Sequence, residues 1–283
     1  MFEVRIKPVE TLLFRGDLVA VGKFRCPSTH PLFRDSGPCS HHTIVFPRTM
    51  TRIRHEEGAS FVGNPSSVAL YNQDQRYTRA KVSDVDASDW YTVSDDVLLD
   101  MMRDVDPRAT PERPFRIVEG PSDARSFAEQ RILFTALERG DALDSNGIEE
   151  TILRFLSRVL GRAHRVETRT SKPLRSKEID AVEYARQLIA RDPSRNTPLR
   201  ALAGACGVSP FQLCRLFRAR TGETITAHRH ALRLRLSLEL LRDTRADITA
   251  IALDLGYSSH SHFTFAFRRH FGFAPSAFRR AIA

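Results

Sequence analysis

The chain has 283 residues, 41% of them hydrophobic and 27% charged, which fits roughly two domains and excludes wholesale disorder. No apolar run approaches the ~18 residues a membrane span needs, so no membrane partner is expected. The net charge of +9 is one-sided: residues 177–283 hold 17 Lys and Arg against 9 Asp and Glu, whereas residues 1–176 hold 26 against 25.

A basic excess at one end fits a phosphate-binding module joined to a neutral one, or a solvated basic surface with no partner. The opening Met1-Phe2-Glu3-Val4-Arg5 carries an acid early and no apolar stretch, so no signal peptide is expected and the cytoplasm is the expected location. There the four cysteines, Cys26, Cys39, Cys206 and Cys214, stay reduced, and no Cys-x-x-Cys pair marks a zinc finger.

Residues 1 to 116 place Pro, Gly, Asn and Asp between short β-prone runs: Thr43–Phe46, Ser60–Val62 and Ser67–Tyr71, with Gly63-Asn64-Pro65-Ser66 as a turn. This predicts a mostly antiparallel β domain. The period then changes. Residues 122–139 read as a helix capped by Ser122 and stopped at Gly140. Residues 145–160 put Ile148, Ile152, Phe155, Leu156 and Val159 on one helical stripe before Gly161. These two helices pack either on the β domain or on a second subunit. Residues 162–177 form a basic linker, charged by Arg162, Arg165, Arg169, Lys172, Arg175 and Lys177 without apolar periodicity. The expected domains are therefore 1–161 and 178–283.

The tail repeats one grammar twice. In 197–222, Thr197 caps and Pro198 opens a helix with Leu199, Leu202 and Ala203 on its apolar face. Gly207 suits a positive-φ turn. Ser209 then caps a second helix, Pro210 opens it, Gln212 completes a capping box, and Gly222 ends it beyond Leu213 and Phe217. In 247–272, Asp247 caps a helix carrying Ile248, Ile251, Ala252 and Leu255. Gly256-Tyr257-Ser258 turns, and Ser259 caps a helix striped by Phe263, Phe267 and Phe271 and ended by Gly272. Pro275 starts a short last helix around Ala277 and Phe278. Two helices joined by a short Gly-containing turn form a helix-turn-helix unit. One such unit is a weak signal, and two with matching caps are a strong one. Between them, Thr226–Arg242 reads as a single helix with Ala231, Leu234, Leu238 and Leu241 inward.

At these residues the chain resembles the AraC/XylS family of bacterial transcription regulators. The match runs through Leu202-Ala203, Gly207-Val208-Ser209-Pro210, Leu213, Arg215-Leu216-Phe217 and Gly222, then Arg233-Leu234 and Leu240-Leu241. It is strongest through Ile251-Ala252, Gly256-Tyr257-Ser258-Ser259, Ser261-His262-Phe263, Phe267-Arg268-Arg269, Phe271-Gly272 and Pro275. Ser237 stands where the family usually has Ala, and Phe265 where it often has Arg or another polar residue. The resemblance implies an α+β two-domain protein: a variable, often cupin-like β-rich domain with two helices, then an all-α tandem helix-turn-helix domain.

Helical phase gives the DNA face before the family is consulted. Phe211, Arg215 and Arg218 lie opposite the first stripe, and His260, Ser261, Thr264, Phe265 and Arg268 opposite the second; Gln212, Cys214 and Arg269 complete the candidate DNA-contact set. Arg215 is placed to read guanine through its guanidinium fork, and Phe211 and Phe265 to pack on thymine methyls. Arg218, Arg268 and Arg269, later in their helices, are placed to meet phosphate. His262 and His270 are expected to be structural.

The expected partners are double-stranded DNA, a small-molecule effector, RNA polymerase and a second copy of the chain. No catalytic residue, cofactor or metal is assigned. Cys26, His30, Cys39, His41 and His42 carry metal-ligating chemistry at loose spacing, and are read as incidental or as a metal or thiol sensor. The alternatives in other classes are an enzyme fused to a DNA module and an effector-independent architectural DNA binder. His55-Glu56-Glu57 only loosely resembles part of a metal-dependent cupin site, and Pro38-Cys39-Ser40-His41 breaks a DNA-repair Pro-Cys-His core at Ser40.

Overall fold

The computed structural model describes residues 4–35, 37–56, 60–169, 174–244 and 246–282; Lys172 of the basic linker and Glu57 lie outside them. The chain divides into two compact units, Met1–Ser122 with Gly140–Arg169, and Asp123–Arg139 with Thr170–Ala283.

The first unit is β-rich, as its punctuation predicts. Strands β1 (Glu10–Arg15), β2 (Val19–Pro27), β3 (Thr43–Pro47), β4 (Thr51–His55), β5 (Phe61–Gly63), β6 (Ser67–Tyr71), β7 (Tyr77–Lys81), β8 (Val85–Val93) and β9 (Glu119–Pro121) pair antiparallel throughout. They form a six-stranded sheet, β1-β2-β8-β3-β6-β9, and a three-stranded one, β5-β4-β7. The turn before β6 is the predicted one: Asn64 Oδ1 accepts from the backbone N–H and the hydroxyl of Ser66. Helix α1 (Asp95–Arg103) follows β8.

The period of two along β8 separates its side chains. Tyr91 faces a helix, where its ring meets Phe155 edge-on at 5.3 Å between centroids. The alternate residues Asp86, Ser88, Trp90 and Thr92 line a cavity. The helix is α3 (Ser145–Arg169). Its predicted stripe, from Ile148 to Val159, is fully buried. Gly161 does not end it: a C-terminal glycine stop needs positive φ, and Gly161 is not among the positive-φ glycines. Residues 162–169 of the predicted linker are therefore helical. Glu149 ties the helix to the sheet by accepting from the Leu18 N–H at 2.7 Å.

The second unit contains α2 (Ala124–Arg139), α4 (Ser176–Arg191), α5 (Leu199–Ala205), α6 (Pro210–Thr221), α7 (Ile225–Asp243), α8 (Ile248–Asp254), α9 (His260–Phe271) and α10 (Pro275–Ala281). Helix α2, grouped by sequence with the β domain, packs against α7 and α9. Arg131 supplies the reason: its side chain is 2% exposed and ion-paired to Glu239 of α7 at 2.8 Å. Phe127 and Phe134 are buried alongside, so this apolar face is not free for a second subunit. The cap of α2 is also not Ser122; Asp123 Oδ1 accepts from Ser126 N–H at 2.9 Å.

Helix α4 is an addition to the sequence reading. Its Val182, Ala185 and Ile189 join Leu202, Leu213, Phe217 and Leu232 in one core under the first helix-turn-helix. The second has an aromatic core, in which Phe267 contacts Phe263, Phe271 and Phe278.

Candidate nucleic-acid interface

Local chemistry fixes where each presented helix begins and ends. Ser209 Oγ accepts from Gln212 N–H at 3.2 Å while Gln212 Oε1 accepts from Ser209 N–H at 3.1 Å, the predicted reciprocal box. Ser259 Oγ accepts from His262 N–H at 3.1 Å. Gly222 (φ 76) and Gly272 (φ 91) terminate α6 and α9 in the left-handed region that glycine tolerates. The first cap is displaced by one residue from its expected place: α5 begins at Leu199, Pro198 is its N-cap without a side-chain bond, and Leu199 is 40% exposed. Thr197 instead accepts a bond from Arg229 at its carbonyl oxygen. Asp247 caps α8 through Thr249 N–H, and hydrogen bonding to Thr249 holds its carboxyl below the usual range.

With Leu213, Leu216 and Phe217 buried, α6 turns Phe211, Gln212, Cys214, Arg215 and Arg218 to solvent. With Phe263, Ala266, Phe267 and Phe271 buried, α9 exposes His260, Ser261, Phe265, Arg268 and Arg269, and half-buries Thr264. Phe211 is 78% and Phe265 66% exposed. Each presented helix thus shows solvent one large apolar ring, Phe211 as the second residue of α6 and Phe265 as the sixth of α9. The Arg215 guanidinium lies 4.0 Å from Glu178 of α4, a partner that sequence reading missed because α4 is far away in the chain. His262 Nδ1 sits 3.1 Å from Ser258 Oγ with its ring edge-on to Tyr257, and Phe271 packs on His270; both contacts are local and structural.

The spacing of the two motifs is held by α7, whose 19 residues span about 28 Å at 1.5 Å per residue. Arg233 on α7 is the clamp. It is 7% exposed and donates to the carbonyl oxygens of Pro193 and Ser194 and to Asn196 Oδ1, at 2.5, 2.7 and 2.9 Å. The Ser194 carbonyl oxygen in turn abuts the second turn, 2.8 Å from where a Cβ at Gly256 would stand. Ser237, the departure from Ala, is fully buried and accommodated because its hydroxyl donates to the Leu234 carbonyl oxygen at 2.6 Å.

In the first unit an open-mouthed cavity lies among both sheets. It is walled by Phe24, Val45, Ile53, Tyr71, Tyr77 and Trp90. The loose Cys/His set does not assemble. Among the described residues no three His, Cys, Asp or Glu are grouped as metal ligands, because each ring has a local task. His30 Nδ1 accepts from Leu32 N–H, His41 Nε2 from Arg5 N–H and His42 Nδ1 from Gln73 N–H. Burial pushes the Cys39 thiol up to about 12, which makes it a poor nucleophile at neutral pH.

A family model described as a helix-turn-helix domain matches residues 202–281. The regulatory protein SoxS of Salmonella typhimurium is 38% identical over 81 residues, 29% of this chain and 76% of SoxS. The HTH-type transcriptional regulator AlkR of Acinetobacter baylyi is 34% identical over 88 residues, 31% of this chain and only 29% of AlkR, so the match to that longer relative spans under a third of its length. A crystal structure of ToxT from Vibrio cholerae O395 aligns over 94% of this chain and 98% of its own, at 16% identity and a TM-score of 0.37.

Proposed function

The chain belongs to the AraC/XylS family of bacterial transcription regulators, and from that premise we propose that it is a sequence-specific, effector-responsive activator that lays α6 and α9 in two successive major grooves of double-stranded DNA. One observation carries this reading: two serine-capped helices, one at each end of α7, show solvent the same kind of face, an exposed Phe beside Arg, while their apolar stripes are buried. Major grooves on one DNA face recur about every 34 Å, a distance that a rigid α7 suits.

Arg215 is assigned to a guanine edge, and Phe211 and Phe265 to thymine methyls. Arg218, Arg268 and Arg269 are assigned to phosphates, and Gln212, Cys214, His260, Ser261 and Thr264 to the remaining groove contacts. The cavity of the β-rich unit is the assigned effector site, since it is concave and lined mainly by apolar and aromatic side chains with a few polar groups, as ligand sites are. RNA polymerase and a second copy of the chain are the other assigned partners, and the cytoplasm is the assigned location.

The test is salt-titrated binding of the full-length protein to a pool of genomic fragments, with the selected sequences read out. Sites carrying two motifs about one helical turn apart, retained as salt rises, are the expected result. Uniform binding that collapses with salt would refute sequence-specific regulation and favour an architectural binder. In the same assay Arg215→Ala is expected to cost about 1–3 kcal/mol and to relax one base position. An equal loss on all sequences would reassign Arg215 to phosphate.

A further inference from the structure

An arginine on a presented helix has two kinds of acceptor within reach, the uncharged edge of a guanine and the charged oxygens of a phosphate, and its surroundings bias the choice. For Arg215 those surroundings come from α4. Two acid–arginine pairs join α4 to α6: Glu178 Oε1 stands 4.0 Å from Arg215 Nη2, and Glu183 Oε1 stands 3.8 Å from Arg220 Nε. The acids are five residues apart and so are the arginines, so the two helices run side by side in one direction over the shared core of Val182, Ala185, Leu213 and Phe217.

The two pairs differ in access. Glu183 is 1% exposed and also holds Arg186 at 2.9 Å, an internal brace. Glu178 is 28% and Arg215 58% exposed. The Glu178 carboxylate is anchored, because its Oε2 accepts from the Arg175 N–H at 2.9 Å and closes the capping box of α4. At 4.0 Å its contact with Arg215 is one of charge rather than a hydrogen bond. A guanidinium carries five N–H donors, so this contact leaves others for a partner in the groove.

An anchored negative charge at that place acts unequally on the two acceptors. It repels a phosphate approaching Arg215, whereas guanine O6 and N7 belong to a base without net charge. Arg175 and Lys177, exposed on either side of Glu178 in the chain, otherwise favour phosphate at this edge. We propose that Glu178 is a positioning residue that sets specificity: from α4 it steers the Arg215 guanidinium to the base edge and away from phosphate, lowering affinity for DNA at large while sharpening discrimination at one base pair. This proposal rests on the assignment of Arg215 to a base.

Glu178→Gln removes the charge and keeps the cap, since glutamine also serves at that position of a capping box. The full-length protein is titrated by fluorescence anisotropy against its selected site, against that site changed at the Arg215 base pair, and against a scrambled duplex. Discrimination at that base pair is expected to fall about two- to fivefold, the scale of an exposed ion pair. Binding to the scrambled duplex is expected to tighten about twofold, less so as salt rises. Discrimination at pairs read by α9 and the urea midpoint are expected to stay unchanged. In the Arg215→Ala background Glu178→Gln is expected to have no further effect on that pair. Asp180→Asn, which removes an exposed acid of the same helix, is expected to leave discrimination intact. Unchanged discrimination in Glu178→Gln overturns the proposal, as does an equal loss in the Arg215→Ala background or in Asp180→Asn. Should Glu178→Gln fail to fold, Glu178→Asp draws the charge back by one methylene and is expected to relax the same base pair; an unchanged pair there overturns the proposal too. Arg215→Ala separates the two assignments. If it weakens all sequences equally, the base assignment falls and this proposal with it; if it relaxes one pair that Glu178→Gln leaves intact, the role of Glu178 alone falls.

Discussion

Replacing Arg131 with Met removes the cation that fastens α2 to the DNA-binding unit and tests whether α2 is an integral part of it. The Arg131–Glu239 pair is 2.8 Å long and its cationic partner is 2% exposed. At an effective dielectric near 20 the gross attraction at that distance is about 6 kcal/mol, most of it offset by the desolvation of Arg131. Breaking a fully buried pair costs about 3–5 kcal/mol. Here Glu239 is 22% exposed and keeps Arg242 at 3.4 Å, so the expected loss is about 2 kcal/mol after allowing for that solvent access. Equilibrium urea unfolding of Arg131→Met, Glu239→Gln and the double variant yields the coupling directly. The expected coupling is about 1–2 kcal/mol, carried by the transition that includes α7 and α9. A coupling below about 0.3 kcal/mol would be ordinary additivity. It would refute the assignment of α2 to this unit on the strength of the ion pair.

Three further outcomes follow from single contacts. Gly256→Ala places a Cβ 2.8 Å from the Ser194 carbonyl oxygen at a φ of +79°; it is expected to cost about 2–4 kcal/mol by denaturation and to weaken specific DNA binding. Ser209→Ala removes one half of the capping box of α6 and is expected to cost about 1 kcal/mol, with Ser209→Thr restoring most of it. Burial lowers His55 to about 4. Because its folded pKa is below the unfolded 6.5, its contribution is fully present above pH 6.5 and lost as pH falls towards 4, up to about 3 kcal/mol. His55→Gln is expected to flatten that acid limb of the stability profile, and an unchanged limb would show that His55 does not set it.

The C-terminal motifs were legible because their signals are local. Ser209 with Gln212, Ser259 with its stripe of Phe, and the positive-φ glycines 207, 222, 256 and 272 each act within a few residues. The structure displaced only the cap of α5, where Pro198 lacks a side-chain acceptor and Thr197 is committed through its carbonyl oxygen to Arg229. The Glu178–Arg215 and Arg233–Ser194 contacts were not legible. Both join residues about 40 positions apart, at a distance that no periodicity encodes.

In the first half the sequence disclosed β character but not topology, for a related reason. β8 pairs with β2, more than 60 residues earlier, and with β3, some 40 earlier; such pairing depends on the closure of long loops rather than on nearest neighbours. The same limit explains α2 and α3. The stripe of α3 correctly demanded an apolar partner, and neither that stripe nor the cap and stop signals of α2 say which one. Phe155 of α3 met Tyr91 and Phe46 of the sheet, whereas Phe127 and Arg131 of α2 met Arg235 and Glu239 of a helix more than a hundred residues later. Arg131 carried the discriminating signal. An arginine between Phe127 and Phe134 on a buried face requires an acid opposite, and Glu239 faces it across α7, the helix that also separates the two presented helices.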